Sequence, residues 1–139
     1  MKNIFIDANI VLDLLDSTRI SHNTSKNVFI KIIEKNFKIF ISEDILTTIY
    51  YIVKNKQLVL SFFETILDSW EIVSFGSKTI SEAVTLCKSN LNLDFEDVIQ
   101  SLTAKKSDCD TIISNDKNFY NCGIPILSGG EFLKEKYLN

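Results

Sequence analysis

Short β-branched and aromatic runs alternate along this chain with segments of helical periodicity, and that alternation narrows the available folds more than any other feature. The runs fall at residues 3–6, 37–41, 71–75 and 111–114, with a weaker fifth at 123–127. Pro125 lacks a ladder donor, so the fifth suits a sheet edge. Between the runs, apolar residues recur at helical spacing: Leu12 and Leu15, then Val28, Ile32 and Ile33. A further helix is predicted from Ser42, as N-cap with Glu43 and Asp44 in the first turn, to about Lys54. Others are predicted over 57–68, 77–90 and 95–106, the last capped by Asp94 with Asp97 in a capping-box position. Ser128 starts a terminal helix that bears Glu131 and ends near Tyr137. Strands in alternation with helices imply parallel crossover units. The expected fold class is therefore α/β, a three-layer α/β/α sandwich around a mostly parallel sheet of four to five strands. No linker, repeat or low-complexity stretch interrupts residues 1–139, which predicts a single domain, and 45% hydrophobic content suffices for its core.

Composition removes several kinds of chemistry. Cys87, Cys109 and Cys122 are odd in number and lack a CxxC spacing, which argues against a disulfide framework and a zinc site. His22 is the sole histidine, so Ser-His-Asp catalysis loses its central member. Four glycines without a GxGxxG turn disfavour a dinucleotide site. A phosphotransfer domain of the receiver or dehalogenase kind is disfavoured too, because Asp7-Ala8-Asn9 is no Asp-x-Asp and no acid follows Val73-Ser74. There is no run of about 18 apolar residues and no signal pattern, since Asp7, Asp13 and Asp16 interrupt the first apolar stretch. A soluble, cytoplasmic protein without a membrane partner is expected.

What remains is carboxylate chemistry. Asp7 follows the first run, Asp116 follows the fourth, and Asp94, Glu96 and Asp97 open the helix between them. In a parallel sheet the loops after the strands gather at the carboxyl edge, where ligands bind. Taken singly, Asp7, Asp94 and Asp116 would each serve as a cap. Taken together at one edge they would stack negative charge without relief, which a hard divalent cation such as Mg²⁺ or Mn²⁺ would supply. The net charge of −3 does not exclude a nucleic-acid partner, because without those five acids the remainder no longer outnumber the 15 bases. Arg19, Lys54, Lys56 and Lys117 are the candidates for backbone contact. Asp13, Asp16, Glu34, Glu64, Asp68, Glu71 and Glu135 have no such placement and are expected on solvated faces.

Several of these segments resemble one family. The opening Ile4-Phe5-Ile6-Asp7-Ala8-Asn9 is similar to the Asp-(Thr/Ala)-Asn start of PIN domains, a compact metal-dependent ribonuclease fold. Leu93-Asp94-Phe95-Glu96-Asp97 resembles the family's central helix, with its catalytic acid at Asp97. Ser114-Asn115-Asp116-Lys117-Asn118-Phe119 resembles the Thr/Ser-x-Asp-x-x-Phe element, and residues 124–128 the closing strand. The resemblance implies that Asp7, Asp97 and Asp116, supplemented by Glu96, hold one or two Mg²⁺ or Mn²⁺ ions and hydrolyse RNA to 5′-phosphate and 3′-hydroxyl ends. Thr48, Ser114 and Asn9 would orient water or the ligating carboxylates. Stand-alone PIN domains are often toxins of toxin-antitoxin pairs, which implies a homodimer and an antitoxin protein laid over the site. Ile45, Ile49, Ile52, Phe62 and Phe63 are candidates for the dimer face.

One position departs from the pattern. Counting from Ser42, the acid expected on the next helix falls on Thr48, which carries no charge. Glu43 lies about 140° around the helix from that slot, and Asp44 shares its face one turn away. Both read as helix-dipole acids, so Glu96 is the expected compensation. The same departure supports an alternative, a catalytically weakened PIN-like module that binds RNA or a protein partner.

Overall fold

A computed structural model describes residues 2–135. Five strands form its sheet: β1 (Asn3–Ile6), β2 (Lys38–Ser42), β3 (Glu71–Val73), β4 (Thr111–Ile113) and β5 (Ile126–Leu127), in the order β3-β2-β1-β4-β5. Every pairing is parallel, with Ile4 opposite Ile39 and Thr111, and Ile113 opposite Leu127. Parallel strands are covered on both faces, and β1 at the centre is apolar throughout for that reason. Its side chains alternate between two cores. Ile4 and Ile6 join Ile39, Ile41 and Ile113 beneath helices α1 (Ala8–Leu15), α2 (His22–Glu34), α3 (Asp44–Ile52), α4 (Lys56–Leu67) and α7 (Gly129–Lys134). Phe5, Phe40 and Ile112 face the other way, against Ala104 of α6 (Phe95–Lys106), while Ala83 of α5 (Gly76–Ser89) packs with Val98, Ile99 and Leu102 of α6. The result is a five-stranded α/β/α sandwich.

The chain moves outward from β1 to β2 and β3, then returns to place β4 on the other side of β1. The strand order therefore reverses between β1 and β4, which makes the crevice above their carboxyl ends the expected ligand position.

Local differences from the sequence reading have physical causes. Ser42 belongs to β2, paired with Val73, instead of capping α3; the N-cap is Glu43, which makes no side-chain capping bond. Strand β3 stops at Val73, and Gly76, at φ +75°, starts α5 instead of merely ending the strand. The predicted end of α7 near Tyr137 lies outside the described residues. Asp13 is buried and paired with Arg19 at 2.7 Å, not solvated. Ile45 and Ile49 lie in the core, so they are not free to form a dimer face; Ile52 is exposed and Phe62 and Phe63 are half-buried. Among the described residues no helix is long and apolar enough to cross a membrane.

Candidate active site

Asp7 and Ser114 are the first residues beyond β1 and β4, so adjacent parallel strands deliver their side chains to the same point. Asp7 is buried, and its carboxylate accepts from the Ala8 amide at 2.8 Å and from Ser114 Oγ at 2.8 Å. Ser114 Oγ in turn accepts from the Asp116 amide at 3.1 Å. That hydroxyl thus links the two strand-end acids. Burial holds the Asp7 carboxyl above its ordinary range despite both hydrogen bonds, and the charges of Asp116 and Asp94 push the same way. The Asp116 side chain also closes its own turn by accepting from the Asn118 amide at 2.9 Å.

The N-terminal turn of α6 enters the crevice. Asp94 caps it, accepting from the Asp97 amide at 3.0 Å. Burial, a hydrogen bond to the Asp116 carboxylate, and the charges of Asp94, Asp7 and Asp116 push the Asp97 carboxyl up to about 7. Two carboxyl groups in such contact must share a proton or a cation. Glu96 is also raised, by burial first and then by Asp44, Asp94 and Asp7. One field therefore joins Asp7, Asp94, Glu96, Asp97 and Asp116.

Asp44 is the residue that sequence reasoning assigned elsewhere. It does lie in the first turn of α3, but its carboxylate accepts from Ser42 Oγ and from Gln100 Nε2, the latter at 3.1 Å to each oxygen. The available signal was the helical spacing on α6, where Glu96 and Gln100 stand one turn apart on one face. Thr48 donates its hydroxyl to the Asp44 carbonyl at 3.4 Å, and Asn9 is exposed on the first turn of α1. Of the basic candidates, Arg19 is engaged by Asp13, and Lys56 donates to the Tyr50 and Val53 carbonyls at the end of α3. Lys54 and Lys117 remain exposed.

The donors in the crevice are oxygens, which suit a hard divalent cation and not a soft one. Among the described residues no three Asp, Glu, His or Cys side chains stand as a ready-made ligand cage. An ion would have to draw the carboxylates together against the repulsion already visible at Asp97.

Known proteins resemble this chain in sequence and in fold. A family profile described as "PIN domain" matches residues 3–118. The chain is similar to the curated protein Ribonuclease VapC1 of Aquifex aeolicus, with 33% identity over 134 residues that cover 94% of this chain and 93% of that one. Among solved structures it is similar to VapC20 of Mycobacterium tuberculosis, a toxin that cleaves the sarcin-ricin loop. That likeness has a TM-score of 0.72 and 14% identity, covering 87% of this chain and 95% of the other. It also matches VapBC2 of Rickettsia felis bound to promoter DNA, with a TM-score of 0.67 and 20% identity over 91% of this chain and 98% of that chain. At these identities the solved structures establish the fold.

Proposed function

The chain belongs to the PIN domain family, and from that premise we propose that it is a ribonuclease dependent on Mg²⁺ or Mn²⁺, the toxin of a toxin-antitoxin pair. The observation that carries this reading is the contact of Asp97 with Asp116 above the β1/β4 switch point, within the field of Asp7, where burial first and then these acids push Asp97 up to about 7. The name of the Aquifex relative supports RNA as the substrate. The Rickettsia structure, a VapBC assembly, supports an antitoxin partner.

In this mechanism Asp7, Asp97 and Asp116 would hold the ion, with Glu96 as a further donor. When bound, the ion lowers the pKa of water and offsets the charge that develops on the phosphate in flight. Ser114 keeps the Asp7 carboxylate turned to the crevice, and Asp94 holds the first turn of α6 so that Asp97 meets Asp116. Water gives up a proton as its oxygen bonds to phosphorus, the bond to the 3′ oxygen breaks, and that oxygen takes a proton, leaving 5′-phosphate and 3′-hydroxyl ends. Lys54 and Lys117 supply exposed positive charge for the RNA backbone. Tyr51, at 87% exposed, and Ile52 on α3 and Leu60 on α4 are exposed apolar side chains that a second copy of the chain would cover.

Cleavage of RNA by the purified protein with and without Mn²⁺ tests the reading, together with melting under both conditions. The expected result is Mn²⁺-dependent cleavage absent in Asp97→Asn, and a rise in melting temperature with Mn²⁺ that Asp7→Asn loses. No shift in wild type, or an equal shift in Asp7→Asn, overturns the metal site. Thr48 favours a second reading, a module that binds RNA without cutting it. RNA binding by wild type with no cleavage at any Mn²⁺ concentration would select that one.

A further inference from the structure

The slot that lacks an acid is Thr48, yet negative charge enters the crevice from the same helix one turn earlier. The geometry points to Asp44 as the acid that replaces the carboxylate missing at Thr48, held toward a divalent cation by Ser42 and Gln100; this rests on the metal-dependent reading above. Three observations carry it. Ser42, fully buried at the end of β2, spends its hydroxyl on the Asp44 carboxylate. Gln100, 2% exposed, reaches across from α6 and sets its amide nitrogen on both oxygens of that carboxylate at 3.1 Å. The same amide's Oε1 is buried and has no hydrogen-bond donor.

An acid that served only the α3 dipole would need none of this; it would sit solvated beside free amides. Here the carboxylate is fixed from two elements, as the partners of a ligating carboxylate fix it in a metal site. Turning the Gln100 amide over would set Oε1 against the carboxylate oxygens, so the contact with Asp44 dictates which end carries the unpaired acceptor. A buried hard oxygen without a donor, beside a carboxylate whose charge reaches Glu96, suits a cation and its bound water better than any neutral partner. Three donated bonds also leave the Asp44 carboxylate one lone-pair direction unused.

The test is a calorimetric Mn²⁺ titration of wild type, Asp44→Asn, Gln100→Met, Asp97→Asn and the double variant Asp44→Asn/Thr48→Glu, with metal-free melting of each. Asp44→Asn should weaken Mn²⁺ binding on the order of tenfold to a hundredfold without lowering the metal-free melting temperature, since Asn keeps a partner for Ser42 and relieves repulsion. Returning a carboxylate at position 48 should recover much of that loss. Wild-type affinity in Asp44→Asn, with binding abolished in Asp97→Asn, overturns the role of Asp44 and leaves the ribonuclease reading standing. No binding in wild type removes both. Should Asp44→Asn fail to fold, Gln100→Met decides: weaker binding supports the assignment, and unchanged binding overturns it.

Discussion

At Asp97 the carboxyl is raised to about 7 by burial and by the acids around it, so the folded, metal-free protein holds a proton there that the unfolded chain would release near pH 4. The native state therefore binds more protons than the unfolded state between those values. Stability from this group is fully present below about pH 4 and is lost as pH rises through about 7. Metal-free melting temperature should fall from pH 5 to pH 8, and Asp97→Asn should flatten that fall. A melting temperature that rises over this range in wild type would contradict the crowded-acid picture. Ser114 is the other residue with a sharp expectation. Ser114→Ala leaves the buried Asp7 carboxylate one donor short, which should cost about 1–3 kcal/mol in urea unfolding and reduce cleavage as well. The acids themselves were legible in the chain because Asp follows an apolar run at Asp7 and near one at Asp116. What Asp44 does was not, because its partners, Ser42 and Gln100, are brought together only when α6 crosses toward the end of β2.

At the level of elements, caps and periodicity carried most of the reading. α6 begins at Phe95 behind Asp94, and α7 begins behind a complete Ser128/Glu131 capping box. Ser128→Ala should therefore cost about 1 kcal/mol in chemical unfolding, with Mn²⁺ affinity unchanged. A loss near zero would mean that Phe132, fully buried, seats α7 without the box. Boundaries were less legible. Ser42 is as good a helix cap as a strand residue, and only its pairing with Val73 places it in β2. The run at 71–75 has apolar residues to its end, but Gly76 takes a left-handed turn into α5, so pairing stops at Val73.

For the whole molecule, the exposed apolar side chains on α3 and α4 predict self-association. Tyr51→Glu should convert a dimer to a monomer in sedimentation while leaving the unfolding free energy of the single chain within about 0.5 kcal/mol. A wild type that sediments as a monomer at high concentration would remove the homodimer. The sequence alone determined the architecture, because a β-branched run followed by a helical stretch can bury both faces of a strand in few ways, and parallel crossovers are the economical one. It also determined which acids reach the carboxyl edge, since a residue just past a strand has nowhere else to lie. Tertiary structure alone decided the rest: that β4 returns beside β1 and so sets Asp7 against Ser114 and Asp116, that Ile45 and Ile49 are core, and that Asp44 turns toward Gln100. Those outcomes depend on contacts such as those between residues 56 and 107 positions apart in the chain, and no local propensity encodes a partner at that distance.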